Sequence, residues 1–136
     1  MKKLLNKKNN KGFSLVELIV VVLIMGIIAV ALAPQVMKWV GTARTNSDKN
    51  TEKDIKSAVN IAVADYQSQG GTISTSGISF DVTSTGVSGI SDALMKSCVT
   101  TVLNGDYPTP STTGNVFKVT ITGSYQVTVS QGSPTT

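Results

Sequence analysis

The feature that most constrains this chain is an unbroken apolar stretch near its start. Residues 13–33 read FSLVELIVVVLIMGIIAVALA, and from Leu18 to Ala33 there is no polar side chain. At about 1.5 Å per residue, 21 helical residues span roughly the 30 Å hydrocarbon core of a bilayer. A protein of 136 residues cannot bury such a helix on all sides, so the run is expected to cross a membrane. Five lysines precede it (Lys2, Lys3, Lys7, Lys8, Lys11) and no comparable cluster follows. The positive-inside rule then keeps the N-terminus in the cytoplasm and sends residues 34–136 outside. A cleaved secretory signal is the competing reading, because Ala31-Leu32-Ala33 has the small-x-small form of a cleavage site. The run is longer than a signal core, and Pro34 directly after the cut would disfavour the extended substrate backbone.

Charge and composition exclude much chemistry. The net charge of +4 belongs to the basic head: residues 13–136 hold seven basic and eight acidic side chains. A surface for nucleic acid needs Lys and Arg spread over the fold, so no specific nucleic-acid binding is expected. The chain has no histidine and one cysteine, which removes imidazole bases, intrachain disulfides and Cys clusters for zinc. No catalytic constellation is visible, and neither an enzyme nor a cofactor is expected. Asp81, Asp92 and Asp106 read as scattered, solvated loop acids, with a calcium site a minor alternative. No metal ligand is assigned.

Beyond the apolar run a helical stripe continues. Ile55, Ala58, Val59, Ala62, Val63 and Tyr66 share one face, and Val36, Met37 and Val40 begin a similar one. Gly70-Gly71 is a stop signal. If Pro34 only kinks the path, one helix runs from about Phe13 to Gln69. Trp39 is either an interfacial aromatic or a core residue under the sheet.

The C-terminal zone alternates as strands do. Ile78, Phe80 and Val82 share a face, as do Phe117, Val119 and Ile121, and Tyr125, Val127 and Val129. The last two triplets should form a hairpin. A two-residue Gly123-Ser124 loop would put their apolar sets on opposite faces. A three-residue loop, Thr122–Ser124 or Gly123–Tyr125, pairs Val119 or Ile121 with Val127 and keeps one common face. Residues 91–104 read as a short helix with Leu94, Cys98, Val99, Val102 and Leu103 on one face. Ser91 or Asp92 is its cap and Gly105 its stop. Cys98 is expected to be a buried thiol. Segments 70–77, 83–90 and 104–115 read as loops. The fold class is α+β: a long N-terminal helix whose outer half packs on a small antiparallel sheet. The domains are 1–12, a leader; 13–33, the membrane-spanning part; 34–69, its amphipathic continuation; and 70–136, a β-rich head.

One motif stands at the junction of head and run. Gly12-Phe13-Ser14-Leu15-Val16-Glu17-Leu18 follows a lysine-rich leader, and Glu17 is a lone acid inside an apolar helix. Such an acid is costly in a membrane and is functional by default, unless it reaches the headgroups. The motif resembles the processing and assembly motif of type IV prepilins and type II secretion pseudopilins. Gly26 and Pro34 stand where that family places them. The specific resemblance covers about residues 1–40; beyond that only the general plan agrees.

The resemblance implies a structural subunit of a helical filament. A prepilin peptidase would cut between Gly12 and Phe13 and methylate the new Phe13 amine. Glu17 would neutralise a Phe13 ammonium in the filament, and the helix would melt between Gly26 and Pro34. The implied partners are further copies of the chain, the peptidase, an inner-membrane assembly platform and a separate ATPase motor. The subunit would wait in the cytoplasmic membrane and then form an extracellular pilus for adhesion, twitching motility or aggregation. A pseudopilin of a secretion or DNA-uptake system and a monomeric membrane-anchored binding module are the rival readings. The family often closes its C-terminal region with a disulfide, which one cysteine cannot do.

Overall fold

The computed structural model describes residues 12–135, so the leader and its lysines lie outside the described residues except for Gly12. The chain divides between Gly41 and Thr42 into two units.

Helix α1, 54 residues long, begins at Leu15 in the first unit and ends at Ser68 in the second. Pro34 lies inside it and the helix is continuous through Gly26 and Pro34. Every residue from Gly12 to Ser47 is exposed. The stripe begun by Val36, Met37 and Val40 is therefore uncovered among the described residues, and Trp39 is 67% exposed, which removes the reading of it as a core residue under the sheet.

The second unit contains the hydrophobic core. From Ile55 onward the α1 stripe turns inward, with Ile55, Val59, Ala62, Val63 and Tyr66 all buried. The helix stops where the two glycines were expected to stop it. Gly70 takes φ +84°, which costs a residue without a Cβ little, and the Gly71 N–H donates to the Tyr66 carbonyl at 2.9 Å.

The stripe packs on a four-stranded antiparallel sheet of order β2-β1-β3-β4, formed by β1 (Ile78–Thr83), β2 (Gly86–Ser88), β3 (Val116–Ile121) and β4 (Val127–Gly132). Phe80, Val82, Phe117, Val119, Ile121 and Val127 form its buried face. Helix α2 (Ala93–Leu103) lies between β2 and β3 in the chain, and Met95, Cys98, Val99 and Leu103 join the same core. Asp92 is its N-cap, with the Met95 N–H donating to Oδ1 at 2.8 Å. Asn104 and Gly105 both take positive φ after it.

Several expectations need correction. Segment 83–90 is not all loop, since Gly86–Ser88 pairs with β1 through a tight Ser84-Thr85 connection. Such a short edge strand carries no alternation to read. The α2 face includes Met95, fully buried, which the sequence pattern had omitted. Strand β4 starts at Val127 rather than Tyr125, because Tyr125 belongs to the turn. Of the two three-residue loops, the chain adopts Gly123–Tyr125: Ile121 pairs with Val127, and the Tyr125 N–H donates to the Thr122 carbonyl at 2.8 Å. The cost is a left-handed Tyr125 at φ +62°, a conformation uncommon for a bulky side chain. The common buried face outweighs it.

One aspartate is also not the solvated acid expected. Asp81 is 3% exposed on β1, opposite Lys118 of β3, whose Nζ lies 3.5 Å from Oδ1. The C-terminal segment crosses this pair: the Thr135 N–H donates to Asp81 Oδ2 at 2.6 Å, and Lys118 Nζ donates to the Ser133 carbonyl at 2.8 Å. Asp92 caps α2 and accepts from the Tyr66 hydroxyl at 3.1 Å. The capping N–H of Met95 leads in lowering its pKa, and the Tyr66 hydroxyl helps, against a smaller opposing effect of burial.

Candidate functional site

The candidate site is built on the first turns of α1. Gly12, Phe13 and Ser14 precede the helix, which starts at Leu15. Ser14 therefore occupies the cap position, and the Leu18 N–H donates to its carbonyl at 3.2 Å. Ser14 and Glu17 have the S-x-x-E spacing of a capping box, a pattern the sequence reading passed over because Glu17 stood out as a lone charge. An acid in the first turn also complements the positive end of the helix dipole. Glu17 therefore suits the local helix start as well as any intermolecular role.

The surroundings of this turn are apolar and open. Phe13 is 86% exposed, and Val22, Leu23, Gly26, Ile27 and Val30 line an apolar groove further along the helix. A Cβ added at Gly12 or Gly26 would meet no atom within 4 Å. Nothing within the described fold therefore requires glycine at either position. The structure leaves Gly12, Phe13 and Glu17 together at one exposed helix start, with Gly26 and Pro34 in regular helix beyond.

A protein-family profile described as the prokaryotic N-terminal methylation motif matches residues 7–33. The chain carries a prepilin motif. This motif is shared by type IV pilins and type II secretion pseudopilins, and the arrangement of a long N-terminal helix with an antiparallel sheet is pilin-like. Pilin-like proteins are generally non-enzymatic structural proteins whose motif implies prepilin peptidase processing and assembly machinery. One long apolar N-terminal helix is consistent with membrane anchoring of a prepilin-motif chain. No curated protein and no solved structure matches the chain.

Elsewhere, polar side chains serve the fold. Asp48, 7% exposed, accepts from the Ser111 N–H at 3.0 Å and from the Ser111 hydroxyl at 2.8 Å, fastening the 104–115 loop to α1. Burial raises the Asp48 pKa, but the Ser111 and Gln131 hydrogen bonds outweigh it and hold the carboxyl below its ordinary value. Sequence reasoning missed this contact, because a buried acid 63 positions from its partner leaves no local pattern. Cys98 is a buried free thiol whose pKa is pushed up by burial and then by Asp65. Among the described residues, no group of three His, Cys, Asp or Glu side chains could hold a metal ion.

Proposed function

We propose that the chain is a prepilin that matures into the structural subunit of a type IV pilus. The observation that carries this reading is the methylation motif over residues 7–33, which includes Gly12-Phe13-Ser14-Leu15-Val16-Glu17 at an exposed helix start. A peptidase on the cytoplasmic side cuts between Gly12 and Phe13 and the new Phe13 amine is methylated. Glycine at the cut lets a protease approach the backbone closely. The open space around Gly12 supports that role, since no neighbour among the described residues explains the glycine.

Residues 13–33 hold the subunit in the cytoplasmic membrane with its N-terminus inside. On assembly the apolar helices leave lipid and bundle, as suits a helix whose side chains are exposed all round. Glu17 then pairs with a Phe13 ammonium. An uncompensated charge in such a core is very costly, so the pairing sets the axial register of each added subunit. The helix is continuous through Gly26 and Pro34 in the isolated chain. Melting there belongs to the assembled filament, where Pro34 lacks a backbone donor and Gly26 has low helix propensity. The outer face of the sheet carries Ser79, Thr120 and Thr128, which suits display on a pilus surface that supports adhesion, motility or aggregation.

The test is the intact mass and N-terminal sequence of the protein sheared from cells. The expected product starts at methylated Phe13. A chain that retains Met1 would support a membrane-anchored binding module instead, and one that starts at Pro34 would support a secreted protein.

A further inference from the structure

We propose that the open edge of β4, together with a row of lysines on α1, is a docking groove for an acidic extended polypeptide segment. The proposal concerns the second unit alone and does not depend on filament formation.

Strand β4 is an edge strand, paired among the described residues only with β3. The Thr122 N–H to Gln126 carbonyl bond sets the phase of that ladder. By alternation, Thr128 and Ser130 bond inward to β3, and the backbone N–H and C=O groups of Val127 and Val129 face away from it. Among the described residues, no hydrogen bond is made to these outward groups. Such an edge is a template for another strand.

Helix α1 flanks this edge with Lys49, Lys53 and Lys56, at steps of four and three along one face. With Glu52, Thr128 and Val129 they line a cleft of ≈ 370 Å³. A second cleft of ≈ 410 Å³ continues past Lys56 to Gln126 and Val127. The three lysines are exposed, and no ion pair engages them among the described residues. Glu52 offsets one charge, leaving the groove cationic.

Charge decides the occupant. Lysines beside an edge protect it from indiscriminate pairing. Two β4 edges from two copies would bring two lysine rows together, so self-pairing through this edge is disfavoured. A segment with acidic residues at alternate positions pairs with the backbone of β4 and presents carboxylates to the lysines. One feature thus excludes the chain's own edge and selects an acidic strand.

The test uses the full-length chain in zwitterionic detergent and a fluorescein-labelled peptide of alternating Glu and Val. Fluorescence anisotropy should show saturable binding that weakens as salt rises. The same peptide N-methylated at alternate amides keeps its charge but cannot pair with a strand, and should bind about tenfold more weakly, about 1.4 kcal/mol. Amide hydrogen exchange at Val127 and Val129 should slow on binding of the parent peptide. The variant Lys53→Gln should weaken binding, and the triple reversal K49E, K53E, K56E should switch preference to a Lys/Val peptide. Circular dichroism would show whether the triple variant folds, and K53Q carries the test if it does not. Equal binding of the N-methylated peptide or of short polyphosphate would overturn the proposal in favour of a plain cationic patch. Absence of binding by the acidic peptide, or edge pairing between copies of the chain, would overturn it outright.

Discussion

The two ends of α1 are the same secondary structure with opposite fates. From Leu18 to Ala33 the helix is apolar around its whole circumference and wholly exposed. From Ile55 to Tyr66 it is apolar on one face, and that face is buried by residues 73–127 of the same chain. The distribution of apolar side chains around the axis, rather than helix formation, decides what covers a helix. A stripe can be covered by one sheet. A full circumference needs a surrounding apolar phase, either lipid or other helices.

The strongest way to break this comparison is to damage the two ends separately. Phe117 is fully buried in the sheet, so Phe117→Ala should destabilise the second unit by about 3–5 kcal/mol. Thermal unfolding followed by circular dichroism in detergent would measure this, while membrane partitioning of the chain should not change. The converse variant, Ile24→Lys, places a charge at the middle of the apolar run and should cost about 2.5–3.5 kcal/mol of membrane insertion. Its unfolding midpoint should equal that of the parent. If either variant moved both readouts, the independence of the two ends would be wrong.

A smaller effect is expected at the loop latch. Asp48→Asn weakens the hydrogen bonds to Ser111 and should cost about 1–2 kcal/mol, with faster amide exchange in the 104–115 loop. The pH dependence has a definite sign. The Asp48 and Asp92 pKa values are lowered in the folded state, so their contribution is fully present above the ordinary carboxylate range. It is lost as pH falls below about 4 and through the folded values. Acid titration of the parent should show this loss, and D48N should show less of it. The smallest effect concerns the β3–β4 turn. Tyr125→Gly relieves a left-handed backbone worth about 1 kcal/mol but removes a partly buried ring, so its stability should change by less than about 1 kcal/mol. Tyr125→Val keeps the strain and loses the ring, and should be clearly the less stable of the two.

Much of the fold could be read from local pattern. The α1 stripe, the glycine stop, the capped α2 and three of four strands followed from periodicity and turn chemistry. The hairpin register was narrowed to two choices by requiring one buried face. Strand β2 escaped because three residues have no period, and Met95 because the chosen face was drawn one position away from the centre of the buried surface. In the candidate site, Gly12, Phe13 and Glu17 stood out by chemistry, while the S-x-x-E spacing at Ser14 showed its meaning only once the helix start was fixed.

What the sequence determined by itself was set by contiguous residues: the long apolar run, the prepilin motif and the amphipathic stripe. These are short-range patterns, and their physical consequences follow from helix geometry and transfer to an apolar phase. Only the tertiary structure decided that Asp81 is buried against Lys118 and the C-terminal segment. The same holds for Asp48 gripping Ser111, and for β4 forming an open edge beside Lys49, Lys53 and Lys56. Each joins residues far apart in the chain, and whether a polar group is buried, paired or left open depends on partners that no local pattern names.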